Sequence, residues 1–189
     1  MTPDEERRLV ADVQYLKDRL AILDVINQQS RGCDRHDADL VADAFHDDGW
    51  DEHGTQVTPG KEYGQWANET HTKGSQINMH HITTHTCEID GPVAHAESYV
   101  IGLMLNHDGV TARLLAGRYV DRLEKRAGHW KLAVRRSTVE VAFTGDATLM
   151  TLPAFTDRRF AKGTRDRTDV SYARPLEIDT PAENWTPSA

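Results

Sequence analysis

Three of the ten histidines in this chain, His80, His81 and His85, fall within one short stretch, residues 78–90. Imidazole is the side chain whose unperturbed pKa, ~6.5, lets it take or give a proton near neutral pH. The stretch reads as a strand: β-branched Ile82, Thr83, Thr84 and Thr86 crowd together, and Asp90-Gly91-Pro92 closes it with turn chemistry. Alternation then puts His80, Ile82, Thr84 and Thr86 on one side, with His81, Thr83, His85 and Cys87 on the other. A single inward imidazole among β-branched neighbours is how a fold presents one base. Sheet histidines without chemistry are also common, and the stretch alone is compatible with both. A second candidate is Asp34, in Gly32-Cys33-Asp34-Arg35-His36-Asp37, although an arbitrary aspartate at such a place is more often a solvated turn residue.

Bulk properties narrow the field. A chain of 189 residues suits one domain with a real core. Net charge is −8 and no basic block stands out, which argues against nucleic acid as a partner. No apolar run approaches a membrane span, and the acidic start Met-Thr-Pro-Asp-Glu-Glu lacks the apolar core of a secretion signal. Cys33 and Cys87 make no metal-like spacing and fit a reducing cytoplasm.

The elements that must position these groups follow from pattern. Thr2-Pro3-Asp4-Glu5 starts a helix, with threonine as N-cap, proline first and Glu5 closing a capping box. Leu9, Val13, Leu16, Leu20, Leu23 and Ile26 form its apolar stripe, predicting a helix to about Gln29, with room for a break near Lys17 or Asp18 and Gly32 close to the end. No heptad continues past this, so a coiled coil is not expected. Asp37 caps a short second helix that Asp47-Asp48-Gly49 stops; Trp50 opens a polar segment, and a third helix is expected over residues 61–70. The histidine strand is followed by strands over 93–105, 111–124 and 130–143, joined by short turns. Helices first and a four-stranded meander after is an α+β pattern. Residues 144–189 read as an irregular C-terminal extension packing on the same domain, 1–143.

This order of parts resembles the SnoaL-like branch of the nuclear transport factor 2 (NTF2-like) superfamily. The resemblance rests on the long helix with Asp34 at its end, Ala44-Phe45-His46-Asp47-Asp48, and His80 on its strand. It extends to Ala116-Gly117-Arg118-Tyr119-Val120-Asp121-Arg122-Leu123, Gly128-His129-Trp130-Lys131-Leu132 and Arg135-Arg136, and covers roughly residues 20–143. It implies a cone-shaped half-barrel, with N-terminal helices packed over a curved, mainly antiparallel sheet around an apolar pocket. Members include scytalone dehydratase, hexachlorocyclohexane dehydrochlorinase, bile acid dehydratase, polyketide cyclases and limonene epoxide hydrolase. The dehydratase group uses a His–Asp dyad, whose members map onto His80 and Asp34. An aspartate accepting from one ring nitrogen fixes the tautomer and stabilises the imidazolium formed at the other. The implied reaction is proton abstraction with loss of a β-leaving group, or isomerisation, on a hydrophobic ring-bearing small molecule, with no cofactor. One departure stands out. Where those enzymes often carry Tyr or Lys, five residues before the aspartate, this chain has Gln29, an amide that cannot protonate a leaving group.

Gln29, Trp50, Tyr63, Trp66 and Tyr119 are the candidate pocket residues. Arg118, Arg135 and Arg136 cannot all face inward: Arg118 reads as a surface partner of Asp121 or Glu124, and Arg136 or Arg135 is placed to hold an anionic group, with Arg136 carried as the candidate. No metal site is read, because adjacent strand histidines point opposite ways and cannot share an ion, even with Glu52 and His53 as further ligands. His36, His46, His71, His95, His107 and His129 read as solvated. Self-association as trimer or dimer through the sheet face bearing Leu103, Leu105, Leu115 and Val139 is expected. The rivals are a non-catalytic binding module of the same fold and a hydrolase that activates water with Asp34.

Overall fold

A computed structural model of the chain describes residues 1–186. Helix α1 spans Pro3–Arg35, and Thr2 and Glu5 cap it reciprocally, as the sequence predicts. It does not break near Lys17, nor does it stop at Gln29. Gly32 lies inside it and serves close packing: a Cβ there would sit 2.6 Å from Val41 Cγ2. The helix ends at His36, whose left-handed backbone (φ 51°) turns its N–H back onto the Gly32 carbonyl. Asp34 therefore sits in the last helical turn. Only the helix from Ile22 onward is buried; Leu9, Val13, Leu16 and Leu20, expected to form a covered stripe, are 47–64% exposed. Asp18 marks the transition, accepting from Trp130 Nε1 (2.8 Å) and Lys125 Nζ (2.7 Å).

Helix α2 (Ala38–Asp43) is capped by Asp37, which accepts from Leu40 N at 3.1 Å. Strands β1 (Phe45–His53) and β2 (Gln56–Pro59) follow, then α3 (Gly60–Gly74) and the long strands β3 (Ile77–Asp90), β4 (Val93–Leu105), β5 (Thr111–Arg126) and β6 (His129–Asp146). One six-stranded sheet has the order β2-β1-β6-β5-β4-β3, antiparallel except for β1 against β6. The sheet is curved and unclosed, so the α+β class and the helices-over-sheet layout are as expected. The four-stranded meander is an undercount. Asp47-Asp48-Gly49 does not stop a helix but forms an irregularity inside β1, between the pairs Phe45↔Leu132 and Trp50↔Val134. Three consecutive turn-type residues look the same in either setting. The core joins Ile22, Ile26 and Val41 from the helices to Phe45, Leu123, Trp130 and Leu132 from the sheet.

Two register features decide which side chains face the concave side. In β3 one extra residue bulges between Ile82 and His85. The bulge exchanges faces, so His85 and Cys87, expected opposite His80, turn to the same side; Cys87 is in the core and His85 meets Ser98 Oγ at 2.8 Å. In the parallel pair, Asp51↔Arg135 and His53↔Ser137 point inward, while Glu52↔Arg136 points outward.

Beyond β6 the described residues form two 3-10 turns and a four-residue helix, α4 (Pro153–Thr156). It packs against the end of α1: Arg31 bonds Ser171 Oγ at 3.2 Å, and Arg35 meets Asp169 at 3.2 Å. On the outer sheet face Tyr99, Leu103 and Val120 are exposed, whereas Leu105 is buried and Leu115 lines the inside. Among the described residues no helix is long and apolar enough to cross a membrane.

Candidate active site

The concave side encloses a cavity of about 480 Å3, within the range that holds a small organic molecule. Trp66, Val100, Met104, Leu115 and Val139 supply its apolar wall, and His53, His71, His80, Lys73, Arg113 and Ser137 its polar groups.

His80 and Asp34 meet at the cavity wall. His80 Nδ1 lies 2.6 Å from Asp34 Oδ1, and the His80 backbone N–H donates to Oδ2 at 2.9 Å. Asn78 Nδ2 gives Oδ1 a further bond at 2.9 Å. A carboxylate in the last turn of a helix faces the negative end of the dipole. Three donors from β3 offset that and aim the carboxylate at His80 instead of into the cavity. With Nδ1–H committed to Asp34, Nε2 is left to accept a proton. Asn78 is held in turn by Arg165 of the C-terminal extension, which donates to Asn78 Oδ1 (2.7 Å), Ser75 O (2.6 Å) and Ser75 Oγ (2.8 Å).

His71 packs beside His80, with ring centroids 5.4 Å apart. Burial, with the neighbouring His80 second, pushes His71 down to about 3, and burial takes His36 down to about 4. Both are neutral imidazoles at physiological pH, so neither opposes a positive charge arising on His80. The reading of His71 as solvated is thus corrected, as is that of His46, which is buried and donates from Nε2 to the Glu124 carbonyl at 2.8 Å. Their sequence surroundings are polar, but His71, on α3, packs between the rings of His36 and His80, and His46 meets the end of β5.

The other candidates divide. Tyr63, Trp66 and Tyr119 line the cavity. Burial raises both phenols well above their ordinary value, which keeps them as O–H donors. Trp50 is 48% exposed and points outward, because alternation through Asp51 and His53 leaves it on the outer face. Arg136 pairs with Glu52 on that outer side and does not reach the cavity. Gln29 is fully buried but turned from it, accepting from Arg135 Nη1 at 2.7 Å and lying 3.5 Å from Cys33 Sγ. Five residues on an unbroken helix rotate Gln29 well away from Asp34, so the two cannot share one wall. Arg118 pairs with Glu97 and Glu140, not with Asp121 or Glu124.

A second polar group brings Arg135, named from the sequence only as the alternative to Arg136, beside Asp51 and His53, whose pairing sequence reasoning missed. Arg135 is fully buried and donates through Nε and Nη2 to both oxygens of Asp121, at 2.8 and 2.7 Å. Burial is the largest single influence and acts to lower its pKa, but the charge and hydrogen bonds of Asp121, with Tyr119 and Asp51, together outweigh it and raise the pKa above the ordinary arginine value. Its guanidinium lies 4.0 Å from the centre of the Tyr119 ring. One pleat further, His53 Nδ1 is paired with Asp51, and Nε2 lies 2.9 Å from Ser137 Oγ and 3.1 Å from Tyr63 Oη. The signal for this pair was present: Asp51 and His53, two apart in a strand, must share a face.

The comparisons agree with this architecture. The family model of the SnoaL-like domain matches residues 14–136, and the chain belongs to that family. No curated protein matches it. Among solved structures it resembles Rv3472 of Mycobacterium tuberculosis, a protein of unknown function. The identity is 26%, over 69% of this chain and 75% of that one, with a TM-score of 0.61. It also resembles the hexachlorocyclohexane dehydrochlorinase LinA-type3 of Novosphingobium barchaimii at 22% identity, over 71% and 94% of the two chains, with a TM-score of 0.65. A candidate scytalone dehydratase of Novosphingobium aromaticivorans matches at 18% identity, over 70% and 90%, with a TM-score of 0.62. At these identities the last two likenesses establish the fold.

Proposed function

We propose that the protein is a cofactor-independent lyase or isomerase of the dehydratase type, acting on a hydrophobic, ring-bearing carbon acid. The observation that carries this reading is the Asp34–His80 pair at the wall of an apolar cavity, with Nε2 free to take a proton. Asp34 orients the ring and stabilises the imidazolium; His80 removes a carbon-bound proton. Trp66, Tyr63 and Tyr119 bound the substrate's apolar body. The fold's dehydrochlorinase and dehydratase relatives support this class of chemistry. A water-activating role for Asp34 fits less well, because its oxygens are engaged by His80 and Asn78. The test uses a bicyclic ketone carrying a β-acetoxy group, incubated with the protein in D2O. Enone formation, or deuterium appearing at the carbon next to the carbonyl, is expected above the protein-free rate. If neither occurs while the ketone still quenches tryptophan fluorescence on binding, the chain is a binding module instead.

We also propose cytoplasmic residence, consistent with two free, buried cysteines, and self-association as a trimer or dimer through the outer face of the sheet, where Tyr99, Leu103 and Val120 are exposed. A monomer by sedimentation at micromolar concentration would remove this proposal.

A further inference from the structure

An elimination needs two proton transfers, and Asp34–His80 accounts for one. When the departing group is a hydroxide or an alkoxide, its oxygen must be protonated as the bond breaks. Gln29 is turned into the core, so the proton must come from elsewhere on the cavity wall. Tyr63 and Tyr119 are phenols whose burial opposes ionisation, and His71 is held neutral. His53 is different. It stands on β1, while His80 stands on β3, near the other end of the sheet order, and both line the one cavity. A substrate in the cavity lies between the strands that carry them.

Asp51, 1% exposed, holds His53 Nδ1 and thereby directs Nε2 at Ser137 and Tyr63. The rings of Tyr63, Trp66 and Tyr119 surround it, with centroids 4.9, 6.2 and 6.1 Å away. A buried carboxylate dedicated to one ring nitrogen is the arrangement that stabilises an imidazolium and leaves its other N–H to be given away. We propose that His53, oriented by Asp51, is the general acid of this cavity, protonating the leaving oxygen of a β-hydroxy or β-alkoxy carbonyl substrate. The assignment rests on the lyase reading above and extends it to a substrate class.

The step balances. His80 Nε2 takes the proton from the carbon beside the carbonyl, and the released pair forms the C=C bond. The C–O bond breaks with its pair going to oxygen. That oxygen takes the Nε2 proton of His53, directly or through the Ser137 hydroxyl, which accepts one proton as it passes on another. Water or an alcohol leaves, and exchange with solvent returns His80 and His53 to their starting forms. Asp51, His53 and Ser137 could be drawn as a nucleophilic triad, but Ser137 lies mid-strand between β1 and β5, paired with His53 and Tyr119. Such a strand does not offer the pair of free N–H donors an oxyanion requires.

The test compares β-hydroxy and β-acetoxy forms of one bicyclic ketone, which give the same enone from a poor and a good leaving group. His53→Asn should slow the hydroxy substrate by about 10²-fold or more and the acetoxy substrate by a few-fold at most, with deuterium exchange beside the carbonyl retained. Tyr63→Phe, run in parallel, should keep the contrast between the two leaving groups, which assigns the acid to His53 and not to the phenol it meets. Ser137→Ala, which leaves the Asp51–His53 pair in place, should give an intermediate loss on the hydroxy substrate alone. Equal losses on both substrates, or none on either, would overturn the assignment while the wild type remains an active lyase. A wild type inert toward both, without exchange, overturns the lyase reading and this role with it.

Discussion

His80→Ala is expected to lower the rate of carbon-acid turnover by about 10²- to 10⁴-fold, the contribution of a positioned general base. Stability should be nearly unchanged, because the ring lines a cavity and its removal enlarges existing space. The same substitution should abolish deuterium exchange, which separates it from any variant that affects only the leaving group. Asp34→Asn should fall in the same range by another route. An amide nitrogen in place of one oxygen would confront the N–H donors of His80 and Asn78, and the ring would lose its fixed tautomer. Steady-state kinetics on the acetoxy ketone, beside a thermal melt, checks both. A full rate in either variant would move the base elsewhere.

Arg135→Met should destabilise the fold by about 3–5 kcal/mol, because it strands the Asp121 carboxylate, whose side chain is 0% exposed, without its counter-charge. Asp51, also buried, sits beside Arg135 in the sheet and would lose a compensating charge as well. Domains of this kind are stable by about 5–15 kcal/mol in total, so the variant should unfold at much lower urea. Adding Asp121→Leu should recover a large part of the loss, since replacing both members of a buried pair with apolar side chains is often close to neutral. A shift in the urea midpoint worth under about 1 kcal/mol for the single variant would mean that the pair contributes little. The second variant then separates the cost of an orphaned charge from the cost of a changed volume.

The sequence was most informative where the determinants of structure are local. The Thr2–Glu5 cap, the Asp37 cap and the turn at Gly91-Pro92 each depend on residues a few positions apart, and all three appear as read. The placement of Asp34 near His80 was also legible, from the order of the elements and the likeness to a known family. Illegible were the features set by register between distant strands. Arg135 and Arg136 are adjacent, and only the parallel pairing of β1 with β6 decides which one enters the core. The bulge after Ile82 reverses the faces of His85 and Cys87 without any glycine to announce it. Leu9 to Leu20 had the pattern of a buried stripe, but whether a stripe is covered depends on what lies beside it. Gln29 was judged by its neighbours in sequence, when its partner, Arg135, arrives from the far side of the domain.

Arg165 carries a consequence for the order in which the site can be completed. Asp34, Asn78 and His80 are all synthesised early, before most of the sheet exists. The guanidinium that bonds Asn78, and through it steadies Asp34, belongs to the extension beyond β6. A nascent chain could therefore bring the aspartate and histidine together and close its cavity before the brace behind them has left the ribosome. A segment made after all six strands is what steadies side chains made before most of them.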